Sequence, residues 1–84
     1  MRMNATPSHT KVTDFALAAA LKAYGFKLVN LEPAEGRRVA FVFQNDVGID
    51  ETTRLFWMNQ LPIDALTYFA AVKLLKSQLH SLNR

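Results

Sequence analysis

The chain has 84 residues, of which 50% are hydrophobic and 20% charged, and its formal net charge at pH 7 is +3. This length accommodates one small domain, and the hydrophobic half of the chain is sufficient for its core. Because the sequence has no cysteine, it excludes disulfides, thiolate metal sites and a cysteine nucleophile. A net charge of +3 also excludes a polybasic arm.

The first eleven residues are polar and lack the apolar stretch of a secretory signal. No segment reaches the roughly 18 apolar residues that span a membrane. We therefore expect a cytoplasmic protein in which residues 1–11 form a flexible tail. Residues 12–84 should then form a single small domain.

The first predicted element is a helix over residues 15–24, which are apolar except for Lys22. Thr13 or Asp14 is suited to cap its N-terminus, and Gly25 is suited to follow its C-terminus. Residues 26–31 and 39–43 are rich in strand-forming side chains, and a break containing proline and glycine separates them. This pattern predicts a β-hairpin.

Two further helices are predicted after the hairpin. Residues 50–58 favour a short helix capped by Asp50, although their threonine and aromatic pairs also allow a strand. Residues 63–82 predict a long final helix, because apolar residues recur there every three or four positions. Its expected core face comprises Ala65, Tyr68, Val72, Leu75, Leu79 and Leu82. The prediction is an α+β fold of order α-β-β-α-α, in which the hairpin packs against the helices.

Several stretches carry a resemblance to a known family. They are DFALAAAL at residues 14–21 with Gly25, FVF at 41–43, FWMN at 56–59, LPIDA at 61–65, Tyr68-Phe69 and Leu75-Lys76-Ser77. Over residues 12–82 the chain resembles DUF5659, a family of small uncharacterised bacterial and phage proteins. The resemblance implies a phage or mobile-element context and the same order of elements. It implies no activity, cofactor or catalytic residue.

Catalytic and metal-binding patterns are not found in the sequence. The two histidines, His9 and His80, lie near opposite ends of the chain, and the glycines do not form a phosphate-binding loop. The acidic residues Asp46, Asp50 and Glu51 are interrupted by apolar ones and do not follow a calcium-loop pattern. We expect a non-enzymatic protein without a metal or cofactor.

A basic strip is predicted on the final helix. Lys73, Lys76 and His80 lie on one side of it, and Phe69 is one turn earlier. Such a strip can follow a phosphate backbone and stack a base, although an ordinary solvated face has the same pattern. Basic side chains also occur at the hairpin turn; they are Arg37 and Arg38.

The final helix also carries an apolar strip opposite its core face. Its members follow helical spacing and are Ile63, Leu66, Ala70 and Leu74. Either another helix of the same chain or a second copy covers this strip. The bulky run Phe56-Trp57-Met58 cannot be buried by one neighbour, so at least one member should be exposed or lie in an interface.

These patterns predict a small binding module that acts by protein–protein contact, including self-association as a homodimer. The protein target would use the apolar strip and the bulky run. One alternative is a nucleic-acid-binding accessory protein that uses the basic residues. Another is a sponge for a small anionic ligand, bound by the same basic residues in a groove of an oligomer.

Overall fold

The computed structural model describes residues 8–82, which form a three-stranded antiparallel sheet and three helices. Their order along the chain is β1 (His9–Val12), α1 (Phe15–Ala23), β2 (Leu28–Pro33), β3 (Val39–Gln44), α2 (Ile49–Trp57) and α3 (Ala65–Leu82). The α+β class, the hairpin of β2 and β3, and the α-β-β-α-α order are confirmed. Strand β1 precedes that order and was not predicted.

Strand β1 corrects the predicted tail. It pairs antiparallel with β3, with His9 opposite Gln44 and Val12 opposite Phe41, so the sheet order is β1-β3-β2. Val12 is buried against the core. The domain therefore extends toward the N-terminus beyond the predicted boundary at residue 12. Residues 1–7 of the predicted tail lie outside the described residues.

Strand β3 is the centre of the sheet and is bonded on both sides. The Asn45 amide donates to the Ser8 carbonyl at 2.9 Å, and the Gln44 amide donates to the Lys27 carbonyl at 2.9 Å. In an antiparallel ladder, consecutive residues direct their backbone groups to opposite sides. This alternation turns the backbone groups of Phe43 toward β1 and those of Val42 toward β2.

The same alternation identifies the open edges of the sheet. On β1, the backbone of Lys11 is directed away from β3. On β2, the Ala34 amide bonds the Arg38 carbonyl at 2.9 Å, so Leu31 and Pro33 are directed outward. Pro33 lacks an N–H, and a register irregularity between residues 28 and 30 also interrupts this edge. Both features discourage pairing of β2 with another strand.

Helix α1 follows its predicted caps. The Asp14 carboxylate accepts a hydrogen bond from the Leu17 amide at 2.9 Å. Gly25 has a φ of +99°, and the Phe26 amide bonds the Leu21 carbonyl at 3.1 Å. Such a C-terminal turn needs a left-handed residue, which glycine provides without strain. The alanine-rich centre of α1 is fully buried.

Helix α2 confirms the helical interpretation of its segment but corrects the predicted cap. It begins at Ile49 and is preceded by Gly48 with a φ of +92°, whereas Asp50 lies in the first turn. The earlier start places Ile49 in the core, where it is almost fully buried. The turn that follows the helix contains left-handed Asn59, after which the Gln60 amide bonds the Leu55 carbonyl at 2.9 Å.

Helix α3 begins two residues later than predicted because Asp64 caps it. The Asp64 carboxylate accepts from the Thr67 amide at 3.0 Å. Leu75 is fully buried on its inner face, and Ala71, which was not predicted, is buried there too. The predicted core residues Ala65 and Leu82 are exposed, because they lie at the ends of the helix beyond the packed elements.

The core lies between one face of the sheet and the helices. Its largest fully buried side chains are Leu21, Phe41, Phe43, Ile49 and Leu75. On the other face of the sheet, Lys11 and Glu32 form an ion pair at 3.0 Å that spans β3.

Candidate interaction surface

The outward side of α3 carries exposed apolar side chains. Residues at spacings of four share one helix face. Leu66 lies opposite the buried Leu75, and Ala70 and Leu74 continue the strip along the side of the helix toward α1. Leu66 is 79% exposed and Leu74 is 41% exposed, and Ala70 is also exposed. Ile63, which was predicted to belong to the same strip, precedes the helix and is half-buried. The predicted apolar strip is therefore uncovered over most of its length.

A shallow groove adjoins this strip. It has a volume of about 210 Å³ and is lined by Lys22 and Ala23 of α1 and by Thr67, Ala70, Ala71 and Leu74 of α3. Helix α1 packs against α3 here, and the Tyr24 hydroxyl donates to the Pro62 carbonyl at 3.1 Å. The strip and the groove together form one surface, which we call the α3 outer face.

The predicted basic strip lies beside the apolar strip on the same outward side. Phe69 is 58% exposed, and the Lys73 ammonium lies 5.5 Å from the centre of its ring. This distance is that of a cation–π contact. Lys76 and His80 continue the strip toward the C-terminal end of α3, and both are exposed. Apolar and basic candidates thus occupy adjacent sides of one helix.

The bulky run at the end of α2 divides between core and solvent. Phe56 packs against the core, whereas Trp57 is 59% exposed and Met58 is 49% exposed. The rings of Phe56 and Trp57 meet edge-to-face, with 5.0 Å between their centres. The Arg54 guanidinium contacts the Met58 sulfur at 3.0 Å. The structure therefore leaves two members of the run available for contact.

Two carboxylates on the surface are stabilised in their charged form. Hydrogen bonds from the Thr67 amide and hydroxyl lower the pKa of Asp64. A hydrogen bond from the Arg54 side chain lowers the pKa of Glu51, and the same contact raises the pKa of Arg54. Both pairs lie within one helix or at its start, so they stabilise helices and do not form a reactive site.

Arg37 and Arg38 are not on the α3 outer face. They lie in the turn between β2 and β3, where the Arg38 guanidinium donates to the Thr13 hydroxyl at 3.2 Å. Leu79 lies beside them, on the flank of α3. The structure therefore separates these arginines from the apolar strip.

A depression between β2 and the end of α3 was not predicted. It has a volume of about 410 Å³, and its lining includes Leu28, Val29, Gln78 and Leu82. The Gln78 side-chain oxygen is buried there and has no hydrogen-bond partner in the described part of the chain. Gln78 follows Leu75 by one helical turn and therefore shares its inner face. This spacing was the signal in the sequence that a polar side chain lies on the core-facing side of α3.

Within residues 8–82, no three histidine, aspartate or glutamate side chains lie close enough together to hold a metal ion. No helix in this part of the chain combines the length and apolar character required to cross a bilayer.

The fold and surface define a small α+β domain with a partly apolar, partly basic outer helix. The chain belongs to the DUF5659 family, a domain of unknown function, which it matches over residues 8–81. This finding confirms the resemblance seen in the sequence. No curated protein and no solved structure matches the chain.

Proposed function

We propose that this protein is a non-enzymatic binding module that acts through protein–protein contact, and that a second copy of the chain occupies its α3 outer face. The exposure of Leu66 is the observation that carries the proposal. An exposed leucine gains free energy when a partner removes it from water, at about 25 cal/mol per Å² of apolar area.

The spacing of the strip favours a second copy as the occupant. Leu66 and Leu74 lie four residues before and after Ala70. If a two-fold axis passes beside Ala70, antiparallel α3 helices place Leu66 of each copy against Leu74 of the other. The small Ala70 side chain allows the helices to approach closely, and the adjoining groove receives the leucine. Closed two-fold dimers are the commonest oligomers of soluble proteins.

The apolar strip alone is too small to form a stable interface. A stable interface buries about 1,200–2,000 Å² in total, which is more than three side chains on each helix supply. The adjoining end of α1, which comprises Lys22, Ala23 and the exposed Tyr24, lies next to the strip. The proposed interface therefore includes these side chains. Trp57 and Met58 remain available for a different protein partner.

The oligomeric state tests the proposal. Light scattering of the parent protein over a range of concentrations should give the mass of two chains at the upper end. Leu66→Lys together with Leu74→Lys should give one chain, because each copy would bury two charges at the two-fold contact. Lys73→Ala with Lys76→Ala is the matched control on the same helix and should remain dimeric.

Three results would contradict a dimer formed through the apolar strip of the α3 outer face. They are a parent of one-chain mass at every concentration, a double leucine variant that still dimerises, or a lysine control that dissociates. Circular dichroism of each variant establishes that it remains folded.

The second candidate function is nucleic-acid binding through Phe69, Lys73, Lys76 and His80. Among the described residues, none of these three basic side chains forms an ion pair with a carboxylate, which leaves their charge available to phosphate. Phosphate contacts weaken steeply with salt, whereas an apolar interface does not. The lysine variants should therefore lose DNA or RNA binding while the dimer persists. The anionic-ligand sponge is a third candidate. Like the nucleic-acid alternative, it could also use Arg37 and Arg38, and it would bind its ligand in a groove of an oligomer.

We place the protein, as a further part of the proposal, in the cytoplasm of a bacterium or of a phage-infected host cell. The family resemblance supports the phage or mobile-element context. Genes that flank its coding sequence provide the direct test: phage structural or mobile-element genes support the proposal, and chromosomal housekeeping genes on both sides contradict it.

A further inference from the structure

A third concavity, a pocket, lies on the flank of α3, away from the α3 outer face. Its volume is about 250 Å³, and the link between β1 and α1, the turn between β2 and β3, and the C-terminal half of α3 surround it. Six of its side chains could contact a ligand; they are Thr13, Phe15, Arg37, Arg38, Phe41 and Leu79. No sequence pattern linked these residues, because they come from three separate stretches of the chain, at residues 13–15, 37–41 and 79.

The floor of this pocket is apolar. The rings of Phe15 and Phe41 meet edge-to-face, with 5.9 Å between their centres and 67° between their planes. Leu79 completes the floor from α3. Phe41 is nearly fully buried, whereas Phe15 and Leu79 are partly buried at the edge of the core. This floor is suited to a flat apolar group, since aromatic rings favour edge-to-face and offset contacts.

The rim of the pocket is basic and held in place. The Arg38 guanidinium bonds the Thr13 hydroxyl, and the turn that carries it is closed by a bond from the Ala34 amide to the Arg38 carbonyl. A guanidinium has five N–H donors, so most of those on Arg38 remain for a ligand. In the part of the chain that the structure describes, neither Arg37 nor Arg38 pairs with a carboxylate.

We propose that this pocket binds a small aromatic acid, with its ring on Phe15 and Leu79 and its carboxylate or phosphate on the Arg38 and Arg37 guanidiniums. Guanidinium pairs with carboxylate and phosphate through parallel hydrogen bonds. An inorganic anion would leave the apolar floor unfilled, and a neutral ring would leave the arginines without a counter-charge. The volume lies below the roughly 300 Å³ at which drug-sized pockets begin, so the ligand has one or two rings.

The experiment is a titration of uniformly ¹⁵N-labelled protein, followed by the amide resonances. The probes are 1-naphthyl phosphate and 2-naphthoate, which carry a ring and an acid. The matched probes are 1-naphthol, which lacks the acid, and inorganic phosphate, which lacks the ring. Both acids should shift the amides of Thr13, Phe15, Arg38 and Leu79, and each should bind more tightly than either matched probe.

The variants distinguish binding in this pocket from non-specific attraction of an anion to the positively charged chain. Arg38→Gln should weaken the binding of naphthyl phosphate about tenfold or more, the effect of one charge-assisted hydrogen bond. Arg37→Gln is a second variant on the same rim and should weaken it in the same direction. Lys27→Ala removes the same charge at an exposed position outside this pocket and should leave the affinity unchanged.

Several outcomes would overturn the proposal. These are no saturable binding of either acid, equal binding of inorganic phosphate, equal weakening by Lys27→Ala, or shifts confined to the α3 outer face. The proposal does not depend on the dimer, because Leu66→Lys with Leu74→Lys should retain the pocket. A monomeric parent protein and the absence of ligand binding in the pocket are therefore separate results.

Discussion

Asp64 shows how one side chain determines where a helix begins. Its carboxylate accepts hydrogen bonds from the amide and the hydroxyl of Thr67. An aspartate at this position satisfies an N–H that has no partner within the helix, and its charge is favourable at the positive end of the helix dipole. The helix therefore starts at Ala65, although apolar residues continue toward the N-terminus.

The lowered pKa of Asp64 predicts an acid-sensitive contribution to stability. Because its folded pKa lies below the ordinary value of 3.8, the contribution is present above that value and is lost as the pH falls through the folded pKa. Urea denaturation of the parent should give a smaller free energy of unfolding at about pH 2.5 than at about pH 5.

Asp64→Asn is the control for this effect. Asparagine also caps helices well but does not titrate, so the variant should lose less stability over the same pH interval. Glu51 titrates in both proteins, and its lowered pKa acts in the same direction. An equal loss in parent and variant would show that Asp64 contributes nothing to acid sensitivity.

Strand β1 is an element with little apolar content, and backbone pairing joins it to the sheet. The Thr10 position directs its amide toward β3, whereas the Lys11 position directs its amide to the open edge. Thr10→Pro should therefore remove a ladder hydrogen bond and lower the free energy of unfolding by about 1–3 kcal/mol, as for other backbone disruptions. Chemical denaturation measures this change.

Two variants separate the backbone effect from side-chain effects. Thr10→Ala reports the loss of the hydroxyl, which donates to Asn45 at 2.9 Å. Lys11→Pro places the same ring where no ladder N–H is removed, and it should cost less than Thr10→Pro. Equal destabilisation by the two proline variants would contradict the pairing in which Thr10 lies opposite Phe43.

The elements differ in how well the sequence predicts them. Asp14 and Gly25 mark the ends of α1 because capping depends on local residue types. By contrast, β1 has four residues, of which Val12 alone is buried, so its apolar pattern is too short to recognise. Ala65 and Leu82 fit the helical period of the core but extend past the elements that cover α3. Periodicity identifies a face, and tertiary packing decides how far along the helix that face is buried.

Candidate site residues show the same limit. The strip from Leu66 to Leu74 was predicted because it lies on one helix and helical spacing specifies its neighbours. The pocket at Arg38 was not predicted because Thr13 and Leu79 approach it through the topology of the sheet and α3. A local sequence pattern does not specify how close such segments lie in the folded protein.

At the scale of the whole molecule, the central position of β3 predicts the pattern of amide hydrogen exchange. The Val42 and Phe43 amides are directed to different partner strands, and both side chains are buried. Both amides should exchange slowly, at the rate set by global unfolding. The Lys11 and Leu31 amides are directed to the open edges and should exchange about a hundredfold faster or more.

The comparison of Val42 with Phe43 is the sensitive part of this measurement. Val42 reports the β2 pairing, and Phe43 reports the β1 pairing. If β1 were detached for much of the time, Phe43 would exchange much faster than Val42. Equal protection of the two amides is expected, and unequal protection would contradict a three-stranded sheet that opens as one unit.

The pairing of β1 with β3 also affects the order in which the chain folds. Val12 and Phe41 are partners although about thirty residues separate them, whereas β2 and β3 are joined by a short turn. Local contacts close faster than distant ones, so the hairpin should form before β1 is added. During synthesis on the ribosome, β1 emerges first and stays without its partner strand until β3 has emerged. The polar side chains of its histidine, threonine and lysine keep this unpaired segment hydrated, which limits its association with other nascent chains.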